Sequence, residues 1–171
     1  GRVTCMVGVP ALWQLLERRI RNQVKERGQL FELAFEGGLE LNRRFGRATG
    51  MDLGRLMFGS VHSRFGGNIR MLISGGAALP GETQKLFSGL GLSMSEGYGL
   101  TESCAASFVN LPEAYKFGTV GPPLVGVEYK LDDADGEILI KSRGVMRGYR
   151  NRPDETAAVL QDGWLRTGDI G

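Results

Sequence analysis

The 171-residue sequence predicts an α/β fold, a parallel sheet covered by helices and followed by a small antiparallel, barrel-like β subdomain. Three observations carry that expectation. Apolar, strand-like runs at residues 3–9, 69–74 and 92–96 alternate with stretches of helical periodicity, the signature of strand–helix–strand units. Small-residue loops, Gly75-Gly76 and Gly97-Tyr98-Gly99, directly follow two of those strands, where open parallel sheets take up ligands. From Gly118 onward the pattern changes to short strands joined by the acidic turn Asp132-Asp133-Ala134-Asp135-Gly136, which reads as a hairpin. The division expected from this change is an α/β part over residues 1–115 and a β-rich part over 116–171.

Composition bounds the function. With 42% hydrophobic and 23% charged residues the chain is globular, and it is long enough for one sizeable core. Its 27 glycines are about twice the usual share of about 7% and follow no collagen period, so they mark tight turns and ligand-facing loops. A net charge of +2 gives no footprint for nucleic acid. Two cysteines, Cys5 and Cys104, and one histidine, His62, leave no structural zinc set, and free thiols in a reducing, cytoplasmic setting are the expectation. The longest apolar stretch, residues 4–16, falls short of the roughly 20 residues of a membrane span.

In chain order, the first strand runs into Pro10, which suits a first helical position. Leu12, Leu16, Ile20 and Val24 then form one apolar stripe, with Arg18, Arg19, Arg21, Lys25 and Arg27 on the other faces. That basic face carries five positive and two negative charges over residues 17–27. It reads as a solvated surface, compatible with peripheral contact to acidic lipid. Gly28 is expected to end this helix. A second helix through Leu30, Leu33, Leu41 and Phe45 would be broken at Gly37-Gly38, and its additional Phe31, Phe35 and Leu39 would be covered on a second side or line something greasy. Residues 45–67 lack a clean period and are expected to be irregular, with a helical turn near 53–58 and no catalytic role for His62. A third helix opens at Pro80 and Glu82 and buries Leu86, Phe87 and Leu90. Beyond the hairpin, in which Val127, Tyr129 and Leu131 alternate as a half-buried strand, Pro153 opens a short helix and Asp162-Gly163 turns the chain toward Trp164.

The run Ser95-Glu96-Gly97-Tyr98-Gly99-Leu100-Thr101-Glu102-Ser103 gathers backbone, a stacking ring, a hydroxyl and a carboxylate on one loop. Such residues suit a base, a phosphate and a hard cation, although an ordinary glycine turn with a core tyrosine has the same composition. There is no Gly-x-x-x-x-Gly-Lys-Ser/Thr, no Gly-x-Ser-x-Gly, and Glu102 stands where a dinucleotide fingerprint requires its third glycine. What is present is an ordered set: Ser-Gly-Gly-Ala-Ala-Leu-Pro from Ser74, Glu-Gly-Tyr-Gly-Leu-Thr-Glu-Ser from Glu96, Gly-Glu-Ile from Gly136, Gly-Tyr-Arg-Asn-Arg-Pro-Asp-Glu-Thr from Gly148, and Asp-Gly-Trp-Leu-Arg-Thr-Gly-Asp from Asp162.

This set closely resembles the AMP-forming acyl-CoA synthetases, the adenylating superfamily that also includes firefly luciferase and nonribosomal adenylation domains. The resemblance implies that Gly76, Ala77 and Ala78 line an adenine pocket, that Glu96 sits at the base edge, and that Tyr98, between Gly97 and Gly99, stacks on the ring. It implies that Thr101 hydrogen-bonds the α-phosphate, Glu102 ligates Mg²⁺ and Asp169 accepts the ribose hydroxyls. Thr101 and Glu102 would be the catalytic pair. The implied reaction joins a carboxylate to ATP as an acyl-adenylate, then to CoA as a thioester. It calls for charge neutralisation rather than a protein nucleophile, which makes Cys104 a packing residue.

The family's Ser/Thr/Gly-rich phosphate loop and its C-terminal domain with the adenylation lysine have no counterpart in these residues, so the expectation is a central piece of a longer enzyme, inactive alone. An amide is frequent in the family where Glu96 stands. The long insert before Gly75, rich in Phe and Leu, resembles the long-chain fatty-acid branch. The alternatives are an amino-acid, aryl or medium-chain adenylating enzyme, or a non-catalytic lipid-binding or scaffolding module. Fatty acid, ATP and CoA are the expected partners, without nucleic acid.

Overall fold

A computed structural model describes residues 2–111 and 115–171. Two compact units emerge: one comprises Gly1–Glu96 and Leu111–Thr119, the other Gly97–Asn110 and Val120–Gly171. Each is described by itself.

In the first unit, β1 (Cys5–Gly8) pairs in parallel with β2 (Met71–Gly75), Cys5 opposite Met71 and Gly8 opposite Ser74. A parallel pair needs a crossover, and the helices between them supply it. The sheet order continues β1-β2-β3, where β3 is Ser93–Tyr98. Helix α1 (Pro10–Lys25) begins on Pro10, whose fixed φ suits the first turn and whose missing N–H is one the helix could not pair. Its Trp13 is fully buried and meets Phe87 of α5 (Gly81–Gly89) edge to face at 6.1 Å. Leu72, Leu86, Leu90 and Leu92 complete the same core.

Three expectations are corrected here. Gly28 does not close α1, which ends at Lys25; it caps the start of α2 (Gln29–Thr49). Helix α2 runs unbroken through Gly37-Gly38, because Gly38 lies buried under Met57 and Phe58, whose side chains would stand 3.1 Å from a Cβ there. Two interior glycines cost about 1 kcal/mol each in propensity, which burial of Phe35 and Leu39 outweighs. Residues 45–67 are largely helical rather than irregular: α2 continues to Thr49, and α3 (Gly54–Met57) and α4 (Gly59–Arg64) follow. Their period is hidden because polar contacts fix them. The Asn42 side chain donates to Asp52 and to the Gly89 carbonyl, and it accepts from the Leu53 N–H. His62, buried in α4, donates from Nε2 to the Leu90 carbonyl at 2.7 Å, a structural bond.

The second unit begins with the last residues of β3. Gly97 and Tyr98 pair antiparallel with Val109 and Phe108 of β4 (Phe108–Val109), so the sheet is mixed rather than parallel throughout. A separate sheet follows in the order β5-β6-β8-β7, antiparallel at every pairing: β5 is Glu128–Leu131, β6 Glu137–Lys141, β7 Leu160–Gln161 and β8 Trp164–Ile170. Helix α6 (Pro153–Val159) precedes β7, with Asp154 and Glu155 in its first turn. The core is small, built on Leu139, Ile140 and Leu165. The buried face expected through Tyr129 and Leu131 is not found: they are 52% and 47% exposed, and all four residues of β5 are exposed, so neither face of the strand is covered.

Candidate active site

The first unit holds the loop that follows β2. Gly76 has φ +84°, a left-handed conformation in which a side chain would be strained although nothing crowds the position. Gly76, Ala77 and Ala78 are exposed, whereas Leu79 is buried and anchors the loop. Glu96 fixes that anchor. Its Oε1 accepts from the Leu79 N–H at 2.8 Å and its Oε2 from the Gln84 side-chain amide at 2.5 Å, while Gln84 Oε1 accepts from the Gly118 N–H at 2.8 Å. Burial raises the Glu96 pKa above the ordinary carboxylate value, and the two donors oppose the rise. Expected at a base edge, Glu96 has both carboxylate oxygens engaged by the protein itself.

The second unit brings together Tyr98 and Asp169, which lie 71 residues apart in sequence. The Tyr98 hydroxyl donates to Asp169 Oδ2 at 2.7 Å. Burial is the main cause that pushes the Tyr98 phenol up to about 12; the Thr167 hydroxyl opposes it, and the bond to Asp169 and its charge reinforce it. The ring is tilted against Phe108 at 5.8 Å, and Phe108 in turn meets Tyr129. Asp169 is held from behind: its N–H donates to Thr167 Oγ1, and that hydroxyl donates to the Ile138 carbonyl. The neighbouring Gly168 N–H donates to Glu137 Oε1 at 2.7 Å. Asp169 Oδ1 has no partner among the described residues.

Thr101 and Glu102 lie on a single 3-10 turn, Thr101–Ser103, closed by a hydrogen bond from the Leu100 N–H to Ser103 Oγ. Thr101 is exposed. Glu102 is half-buried, its Oε1 accepting from the Tyr149 hydroxyl at 2.8 Å and its carbonyl from the Met146 N–H. Accepting that proton raises the Tyr149 pKa. Gly99, just before the turn, is required sterically, since a Cβ there would fall 1.6 Å from the Ala105 carbonyl oxygen. Cys104 corrects an expectation: it is exposed, at φ +60°, rather than a packing residue, and both cysteines are free.

Sequence reasoning singled out neither Glu137 nor Tyr149. Both lie in motifs it did record, Gly136-Glu137-Ile138 and Gly148-Tyr149-Arg150. The available signal was the recurrence of a polar residue beside a turn glycine. Asp132, Asp135 and Glu137 also cluster closely enough to suggest a cation, but Arg166 already pairs with two of the three, with Asp132 at 3.0 Å and with Glu137. Chemically, the second unit offers an aromatic face with a hydroxyl–carboxylate pair at its edge, and a second carboxylate aimed by a tyrosine.

Residues 1–150 match the family model described as AMP-binding enzyme. The chain is 37% identical to Long-chain-fatty-acid–CoA ligase 2 of Schizosaccharomyces pombe, over 99% of this chain and 27% of that protein's length. Among solved structures it is similar to the N-terminal domain of FACL13 from Mycobacterium tuberculosis, with TM-score 0.64 and 26% identity over 99% of this chain and 36% of that one. It is also similar to O-succinylbenzoate Coenzyme A Synthetase (MenE) from Bacillus subtilis in complex with ATP and magnesium ion, with TM-score 0.55 and 33% identity over 60% of this chain and 24% of that one.

Proposed function

The chain belongs to the AMP-binding enzyme family, and on that premise we propose that it is the nucleotide-facing part of a long-chain fatty-acid–CoA ligase. It spans about 27% of the length of the curated relative named above, so the activity belongs to a larger whole. In the proposed reaction a fatty carboxylate attacks the α-phosphorus of ATP, pyrophosphate leaves, and the CoA sulfur then displaces AMP from the acyl carbonyl. A cytoplasmic setting fits this chemistry, and no helix among the described residues is long and apolar enough to cross a membrane.

The observation that carries the reading is the Tyr98–Asp169 bond. It fixes a flat ring beside a carboxylate with one oxygen open. A base stacks on such a ring and ribose hydroxyls donate to such an oxygen. The backbone of Gly76, Ala77 and Ala78 is the proposed lining for adenine, with Gly97 beside Tyr98 letting the main chain pass close to the ligand and Gly99 letting the following turn close on Ala105. Glu96 acts by holding Leu79 and the loop behind it. Thr101 Oγ1 is the proposed donor to the α-phosphate.

Glu102 fits a hard cation, because one oxygen is fixed by Tyr149 and the other has no partner among the described residues. Mg²⁺ held there would neutralise phosphate charge. Calorimetric titration of AMP tests the reading. The unaltered chain is expected to bind weakly, and Asp169→Ala is expected to weaken binding about tenfold, the loss of a charge-assisted bond. Equal affinity of the two proteins would remove the ribose assignment.

A further inference from the structure

The first unit contains a cavity of about 750 Å³ that the nucleotide reading does not use. Its size is typical of small-molecule sites, which run from about 300 to 1,000 Å³. Leu12, Leu16, Ile20 and Val24, the apolar stripe of α1, form one wall, and Phe31 and Phe35 of α2 face them. From Leu12 to Val24 that wall runs roughly 18 Å at the rise of a helix. One lipid tail, half of a bilayer's hydrocarbon core, is about 15 Å long.

The polar part of the lining is one-sided. Arg19, Arg27 and Arg64 border the cavity, and no Asp or Glu does. None of the three has a salt bridge among the described residues, whereas Arg21 on α1 and Arg43 and Arg44 on α2 each have one. Two of them are also held in place. Arg19, Gln23 and Arg27 follow one another at four-residue spacing beside the apolar stripe, Arg64 donates to the Gln23 side chain, and the Arg27 guanidinium lies 4.9 Å from the centre of the Phe31 ring. A long apolar trough bordered by unpaired guanidinium groups is complementary to one tail carrying one anionic head.

The cavity is set apart from the loop assigned to the nucleotide. Val3 and Ile69, which border it, precede β1 and β2, whereas Gly76, Ala77 and Ala78 follow the opposite end of β2 and take no part in the lining. We propose that this cavity is a second site, which holds a free long-chain fatty acid with its tail along α1 and its carboxylate between Arg27 and Arg64. The bound acid lies away from the nucleotide loop, so the site stores or senses the fatty acid rather than presenting it for activation. Guanidinium groups suit this task because they stay charged and grip a carboxylate with two parallel bonds.

Calorimetry with monomeric palmitate tests the proposal on the purified chain. One palmitate is expected to bind, and hexadecanol, with the same tail and no charge, about tenfold more weakly. Arg27→Glu and Arg64→Glu are each expected to weaken palmitate about tenfold while leaving hexadecanol unchanged. Ile20→Trp, which fills the trough, is expected to abolish both, and this independent arm retains its force should either reversal fail to fold. Hexadecanol binding as tightly as palmitate, palmitate affinity indifferent to both charge reversals or to Ile20→Trp, or binding only to phosphatidylserine vesicles would each overturn it. AMP titrated into the same variants is expected to give the wild-type affinity, so a failure here is distinguishable from a failure of the nucleotide reading.

Discussion

At Glu96 the chain buries a carboxylate without a cation beside it, only the Leu79 N–H and the Gln84 amide. Gln84 is committed in the other direction, since its Oε1 serves the Gly118 N–H. A glutamine at 96 would therefore set two amide donors against each other, and Glu96→Gln is expected to cost about 1–3 kcal/mol at pH 7, the cost of an unsatisfied buried polar group. The pH dependence follows from the raised pKa. A folded-state pKa above the unfolded value means that the native protein binds the extra proton, so stability falls as pH rises from 4.5 toward the raised value. The gap in Tm between wild type and Glu96→Gln should accordingly narrow as pH climbs through that window; a gap that widens would contradict the burial argument. Tyr149 permits a parallel test on the cation. Glu102→Gln is expected to abolish the Mg²⁺ dependence of ATP binding and Tyr149→Phe to weaken it several-fold, whereas unaltered Mg²⁺ titrations in both would show that the cation sits elsewhere. Sequence reading named Glu102 and Glu96 but not the partners that orient them, because Tyr149 and Gln84 are remote in sequence and carry no spacing signal of their own.

At the scale of elements, α2 separates what local pattern reveals from what packing decides. Gly37 is exposed with nothing near a would-be Cβ, whereas Gly38 presses on Met57 and Phe58. Gly37→Ala is expected to stabilise by about 0.5–1 kcal/mol through helix propensity. That corresponds to a rise in Tm of roughly 1–4 °C. Gly38→Ala gains the same propensity and loses it to crowding, so its Tm should not rise. Thermal melts of the two variants decide this: a stabilising Gly38→Ala would mean that α3 does not bear on α2 there. Strands β1, β2, β3, β5 and β6 and helices α1 and α5 were legible because apolar period and Pro10 or Pro80 mark them plainly, whereas the short β4 and β7 and the strand β8 were not. The unbroken α2 was not, since a buried glycine and a helix-breaking one read alike without their neighbours. Helices α3 and α4 were hidden for a related reason, as Asn42, Asp52 and His62 hold them by polar bonds that leave no hydrophobic period. The exposure of β5 was misread because alternation marks a strand's two faces but not whether either is covered.

For the whole molecule, the ordered motifs of the sequence already carry the family, and each unit shows why its motifs take the form they do. In the first, the small residues after β2 form a loop pinned by Glu96. In the second, a glycine-flanked Tyr98 on β3 and Asp169 on β8 meet through one hydrogen bond. That meeting could not be read from spacing, since 71 residues separate the two, and it is the claim on which the nucleotide reading stands. A double-mutant cycle on AMP affinity tests it most directly, using Tyr98→Phe, Asp169→Asn and the double variant in calorimetry. The phenylalanine keeps the ring and removes the hydroxyl, so the cycle isolates the bond. The expected result is non-additive: each single change weakens AMP binding several-fold, and the double variant is little worse than Asp169→Asn alone. Two independent losses that simply add, or AMP affinity unchanged in all three proteins, would contradict a nucleotide cradle built on this pair.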